Sequence, residues 1–193
     1  VNKSKEKCTV VIGRDGRMSG AMVKSLVMST LTALGIDVID TDFSTTPTVE
    51  MAVVFLKADG GIILTASHNP KEWNALKLLN HNGEFISGDE GQLILALAAA
   101  EDFNFAPVDK LGTYTKNENA LQQHIDAVLN YELVDVAAIK KAKFKIVVDA
   151  VNSTGATFVP ALLHALGINE VIVLNGEING RFAHNPEPLP EHL

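Results

Sequence analysis

One cysteine in 193 residues, Cys8, excludes an intrachain disulfide and a four-cysteine zinc site. Its place in the apolar run CTVVIG reads as a buried core thiol. Positive charge is also short: 16 basic residues against 23 acidic leave a net charge of −7, which argues against broad electrostatic binding to nucleic acid or to an anionic membrane. A local cationic pocket for a small anion stays compatible with that balance. No apolar stretch approaches the roughly 18 residues a spanning helix needs, and VNKSKEK at the start has no apolar signal core behind it. The expectation is a cytoplasmic enzyme or binding domain. Disorder and collagen-like structure are excluded by a composition that is 47% hydrophobic and 20% charged, with 14 Gly and 7 Pro.

What is present is an alternation of strands and helices. CTVVIG, residues 8–13, reads as a buried strand closed by Gly13. After the loop RDGRMSG, Ser19 is the expected cap of a helix that Gly35 stops, with Met22, Val23, Leu26, Val27, Ala33 and Leu34 on one broad apolar face. IDVIDTDF reads as a second strand, STTP as a turn, and Pro47 as the first position of a helix through PTVEMAVVFLKA. IILTA follows as a third strand, then ALKLLN and GEFIS as a hairpin around Asn82-Gly83, and a helix near DEGQLILALAAAE. This order predicts an α/β fold: a three-layer α/β/α domain with a mixed, mainly parallel sheet.

Residues 102–118, polar and broken by Pro107 and Gly112, read as a boundary. A mostly helical stretch from Glu118 to Ala142 then leads to the strand FKIVVDA, the turn VNSTG, the helix ATFVPALLHALG and the strand EVIVLN. Only two strands are visible before the Pro-rich tail, fewer than an independent sheet needs. We expect a first domain over 1–116 and an incomplete second domain of the same type over 117–193.

Chemistry concentrates at Gly60-Gly61-Ile62-Ile63-Leu64-Thr65-Ala66-Ser67-His68-Asn69-Pro70. A strand ends in small residues and presents a serine at its carboxyl end, where open α/β sheets bind ligands. Ser67 is read in three ways. It is a turn serine bonded to its own backbone, a hydrolase nucleophile with His68 as base, or a carrier of phosphate. Neighbouring residues on an extended turn point apart and no G-x-S-x-G elbow is present, which counts against the hydrolase.

The run Thr65–Pro70 behind G-G-I-I-L resembles the active-site serine motif of the α-D-phosphohexomutases, the phosphoglucomutase, phosphomannomutase and phosphoglucosamine mutase superfamily. Gly13-Arg14-Asp15-Gly16-Arg17 is similar to that family's G-R-D-x-R loop, Thr46-Pro47-Thr48 to its T-P loop, and Glu72–Lys77 to its Y-N-G-x-K stretch. Val148–Gly155 looks like its V-D-x-x-N-G-x-G turn and Asn185-Pro186-Glu187-Pro188 like its H-x-P-x-P segment.

The resemblance implies an intramolecular phosphotransferase that interconverts hexose 1-phosphate and 6-phosphate through a phosphoserine and a bisphosphate. Ser67 would carry the group, Lys77 would transfer a proton, and His68, Asn69 and Arg17 would contact phosphate or substrate. Mg²⁺ would touch this chain only through the phosphate on Ser67. The partner implied is a phosphorylated hexose, with no nucleic acid and no membrane. Ala75 and Ser153 stand where the family has Gly, so each loop is expected to differ locally. The family's D-x-D-x-D-R magnesium loop is absent; Asp40 and Asp42 have no third aspartate. We therefore expect a truncated, inactive portion of a mutase. The alternative from another class is a non-catalytic α/β module that binds a phosphorylated ligand or a partner protein.

Overall fold

The computed structural model describes residues 7–192, so the first six residues of the stretch read above for a signal core lie outside it. Among the described residues no helix is long and apolar enough to cross a membrane. β-branched residues supply half of the first three strands, β1 (Thr9–Arg14), β2 (Asp37–Phe43) and β3 (Gly60–Leu64), as a pleated, covered surface favours. Two shorter strands, β4 (Leu76–Leu79) and β5 (Tyr114–Lys116), complete a sheet in the order β4-β3-β1-β2-β5. Every pairing in it is parallel except β3 with β4, so the sheet is mixed and mainly parallel. β5 lies inside the stretch read as a boundary; three exposed residues give no alternating pattern to detect.

Helices cover both faces. Helix α2 (Thr46–Phe55) packs Val49, Ala52 and Val53 against Val11, Ile63 and Leu79. On the other face α1 (Gly20–Ala33) brings Val23, Val27, Met28 and Leu31 onto Ile12, Val38 and Leu64. Each such side chain removed from water contributes about 1.5–3 kcal/mol. The approach of α2 is close: a Cβ on Gly61 would sit 2.7 Å from Val53 Cγ2, so glycine is what lets helix and strand touch. The broad apolar face expected of α1 is narrower than the pattern implied. Met22 and Leu26 are 61% and 63% exposed, because the sheet reaches only the Val23–Leu31 stripe.

Other departures are local. Ser19 precedes α1 without a side-chain capping bond; its hydroxyl instead accepts from Asn74 Nδ2 at 2.9 Å, tying the helix start to the loop after β3. Pro47 falls one position later than expected, because α2 begins at Thr46 under the cap of Thr45. The expected hairpin after β4 shrinks to one bridge, Leu79 to Phe85. Helix α3 (Gly88–Ala100) forms with a full Ser87/Glu90 capping box, yet buries none of its residues.

The stretch read as mostly helical is two helices, α4 (Ala120–Leu129) and α5 (Val136–Ala142), separated by a turn. Strands β6 (Lys145–Asp149) and β7 (Glu170–Leu174) pair in parallel around α6 (Gly155–Ala165), making a second, two-stranded sheet. Asp40 and Asp42, set aside above as lacking the third aspartate of a magnesium loop, are bonded to Lys24 Nζ at 2.6 and 3.1 Å. Asp40 also accepts from the Tyr114 hydroxyl, whose ionisation burial and that bond push up to about 12.

The two sheets meet through a buried histidine. His124 on α4 places Nδ1 3.0 Å from the Thr48 hydroxyl of α2 and stacks on Phe158 of α6, with ring centroids 4.5 Å apart. Burial lowers its pKa below 6.5. The unfolded chain therefore takes a proton near the ordinary histidine value while the folded chain resists it, so this site favours folding above that pH and opposes it below. Urea denaturation at about pH 7.5 and about pH 5 should show the native protein losing more stability on acidification than His124→Gln. Equal losses would mean that His124 ionises as freely in the fold as outside it.

Candidate active site at the serine loop

All four strand ends with cleft-lining loops deliver them at their carboxyl edges. β1 runs into Asp15, β2 into Ser44–Pro47, β3 into Thr65–His68, and β6 into Val151–Thr154. With Phe182, Pro186 and Pro188 from the tail they enclose a cleft of about 460 Å³. The crevice at strand carboxyl ends is where open α/β sheets take ligands. Five segments that are scattered along the chain thus share one space.

Ser67 is exposed at the floor of this cleft. Its backbone is left-handed, with φ of 55°, which only a minority of non-glycine residues adopt and which costs on the order of 1–3 kcal/mol. A chain of bonds holds it there. The Ser67 amide donates to Thr65 Oγ1 at 3.1 Å, and the Thr65 hydroxyl donates to Asp15 Oδ2 at 2.7 Å. The other Asp15 oxygen accepts from the Arg17 amide at 2.9 Å.

Each residue singled out from the sequence has a definite place. His68 lines the cleft, and its Nδ1 lies 3.3 Å from Ser67 Oγ. The extended turn that was expected to point these neighbours apart is not there, because the left-handed serine swings the next side chain back toward it. Asn69 does not line the cleft; its side chain donates to the Ala66 carbonyl at 2.8 Å and braces the turn. Arg17 has no exposed side-chain surface, and all its N–H groups go to Asp15 and to loop carbonyls, so the expected phosphate-facing fork is turned inward. Lys77 sits on β4 opposite Ile63, with Nζ 5.5 Å from the centre of the Phe85 ring, outside the cleft lining. Its charge partly offsets the upward shift that burial imposes on the Glu50 carboxyl.

The wall facing Ser67 was less legible. Ser153, expected to disturb its turn, has no positive φ; Val151 and Asn152 carry the left-handed conformation instead, at φ 43° and 55°. Ser153 Oγ accepts from the Gly16 amide at 3.2 Å, a bond between the two units that glycine lacks the atom to make. Ala75 likewise has no positive φ, so alanine fits there without strain. The tail is held by Asn152, whose Oδ1 accepts from the Ala183 amide at 3.1 Å, and by His184. The His184 ring places Nδ1 2.9 Å from the Asn185 carbonyl and Nε2 2.9 Å from Asp149 Oδ2. Both partners only accept, so the geometry calls for the doubly protonated ring. No periodicity flags such a pair, since the two residues lie in different segments.

Magnesium, which the resemblance brings, finds no ligand set among the described residues: no three His, Cys, Asp or Glu side chains group to hold an ion. Asp15, the one carboxylate lining the cleft, has both oxygens in use.

Comparison with known proteins places this geometry. Residues 1–105 match the model of phosphoglucomutase/phosphomannomutase alpha/beta/alpha domain I, and residues 122–193 match that of domain II. A phosphoglucomutase/phosphomannomutase of Thermococcus kodakarensis is 40% identical over 192 residues, which is 99% of this chain and 41% of that protein. A phosphoglucosamine/phosphogalactosamine mutase of Sulfurisphaera tokodaii is 34% identical over 95% of this chain and 40% of its own length. The crystal structure of a phosphoglucomutase/phosphomannomutase family protein from Burkholderia thailandensis superposes with a TM-score of 0.80 at 29% identity, over 98% of this chain and 41% of that one. The chain therefore spans about two fifths of the length of these relatives.

The bond to the Asn185 carbonyl, with that to Asp149, raises the pKa of His184 above 6.5. A raised histidine stabilises the tail's attachment fully below the ordinary value, and the contribution is lost as pH rises through the folded value. Imidazole NMR should show His184 protonated at pH near 6.5 and titrating above it, with Asp149→Asn bringing the midpoint down. A midpoint at or below that of a free histidine would contradict the two-acceptor geometry.

Proposed function

Because this chain belongs to the phosphoglucomutase/phosphomannomutase family, we propose that Ser67 is its phosphoryl carrier and that it works as part of a phosphohexomutase. The observation that carries the reading is the exposed Ser67 hydroxyl, held in a left-handed turn at the floor of a cleft that five of the six resembling segments line, the Glu72–Lys77 stretch lying outside it. The substrate is a hexose phosphate. In the forward step a sugar hydroxyl oxygen attacks the phosphorus on Ser67, the bond from phosphorus to Oγ breaks, and Oγ leaves with a proton. After the bisphosphate turns over, Oγ attacks the other phosphate, and the sugar oxygen departs with the proton that the hydroxyl gave up.

Protons must be moved at both ends of this exchange. His68 places Nδ1 3.3 Å from Oγ, and its ring offers a donor to the phosphate oxygens. Lys77 serves the sugar hydroxyl from β4, the strand beside β3, and its Nζ rests over Phe85. Asn69 acts through the turn it braces. The wall of Ser44, Thr45, Thr46, Ser153 and Thr154 supplies hydroxyls for an anionic sugar. Mg²⁺ would meet this chain only at the phosphate on Ser67. By itself the 193-residue chain accepts the phosphoryl group without turning over hexose phosphates at mutase rates, since its cleft lining holds no Lys or Arg.

Incubation with a hexose 1,6-bisphosphate followed by intact mass and peptide mapping should find one phosphoryl group on Ser67 and none on Ser67→Ala. Lys77→Ala should slow that labelling by about 10²-fold without an equal loss of sugar affinity. A Ser67 that stays unmodified while the protein still binds phosphosugars would replace the carrier with a binding module. Labelling by an organophosphonate instead would return the hydrolase reading.

A further inference from the structure

The guanidinium of Arg17 has 0% exposed side-chain surface and five N–H groups to satisfy. Nε donates to Asp15 Oδ2 at 3.1 Å. One terminal nitrogen donates to the Pro70 and Trp73 carbonyls, both at 2.8 Å, and the other to those of Ser67 at 2.9 Å and Asn69 at 2.8 Å. Every donor is in use, and four of the five acceptors belong to the loop that begins at Ser67. From the cleft side the Phe182 ring covers the group, 5.2 Å from the guanidinium carbon.

We propose that Arg17 is a positioning residue that templates the serine loop, and that it never contacts the phosphate; this rests on the reading of Ser67 as carrier. The reasoning starts from the serine's two peptide groups. Its amide is fixed by Thr65 and its carbonyl by Arg17, and both of those partners converge on Asp15. With both flanking peptides held, only the rotation about Cα–Cβ is left to aim Oγ, and a left-handed serine that would otherwise relax is kept in place. A planar fork is required for this. Lysine offers three donors from one point and cannot reach four carbonyls spread from Ser67 to Trp73. Because no N–H remains, a phosphate arriving at Oγ finds this cation's charge nearby but none of its donors.

Two measurements test this on the whole chain. In the first, Arg17→Lys is followed by labelling of Ser67 with a hexose 1,6-bisphosphate, alongside thermal unfolding and sugar titration. The labelling rate should fall by about 10²-fold, as a displacement of about 1 Å at a reacting atom produces, while sugar affinity changes far less. Labelling at the native rate, or a loss confined to affinity, overturns the proposal. In the second, the Nη resonances of Arg17 are compared in native protein with and without phosphoserine encoded at position 67. They should stay in place and slow to exchange with solvent; a shift showing a bond to phosphate overturns the template role even where Arg17→Lys fails to fold. A native protein that accepts no label sinks the carrier reading instead, and the resonance comparison still decides what Arg17 does.

Discussion

A buried arginine is tolerable only when its charge is paired and each N–H finds an acceptor, because an isolated ion away from water is very costly. Arg17 meets that condition with one carboxylate and four backbone carbonyls, and the shape of the serine loop is what meeting it looks like. The carbonyls of Ser67, Asn69, Pro70 and Trp73 must turn toward one plane, so the loop wraps the guanidinium and turns its side chains outward. Asp15 is the second member of the arrangement. It neutralises Arg17 and receives the Thr65 hydroxyl, linking the end of β1 to the end of β3. The sheet sets this up, since β1 and β3 are parallel neighbours whose carboxyl edges deliver Arg14 and Leu64 side by side.

The second unit depends on the same loop. Gly180, at φ 68°, has no room for a Cβ, which would fall 2.9 Å from Cα of Arg17, so the tail lies directly on the arginine's backbone. Phe182 then covers the guanidinium, and the Ser153–Gly16 bond closes the contact from the β6 side. Farther back, His124 joins α2 to α4 and α6. The cleft is therefore a product of two packed units rather than of one sheet.

The layered α/β fold was legible because β-branched runs ending in Gly and a Pro-started helix leave strong local signals, as in Thr9–Arg14 and Thr46–Phe55. Ser67 was legible for a related reason: the residues around it form a contiguous string. What failed to show were facts about direction and partnership. Nothing in the letters G-R-D-G-R says whether Arg17 faces the cleft or the loop behind it, and only the count of acceptors decides. β5 has too few residues for a period to emerge. The left-handed turn at Val151 and Asn152 ran against residue preference, since a β-branched side chain is among the least suited to it; the Asp149 carboxylate, which accepts from the Val151 amide at 3.0 Å, holds it in place.

On the role proposed for Ser67, the inward arginine changes how phosphate charge must be met. A phosphoserine carries about −1.5 to −2 at neutral pH, and the cleft lining contains no Lys or Arg among the described residues. The starts of α2 and α6 both reach that lining, at Thr45–Thr46 and Ser153–Thr154. Each helix N-terminus presents roughly half a positive charge, so the two together offset about one. The remainder falls to cations from outside this lining. A chain of net charge −7 does not supply that excess by composition. The cleft thus offers an anion helix termini and hydroxyls rather than a guanidinium, while the one buried guanidinium beside it is spent on the shape of the serine loop.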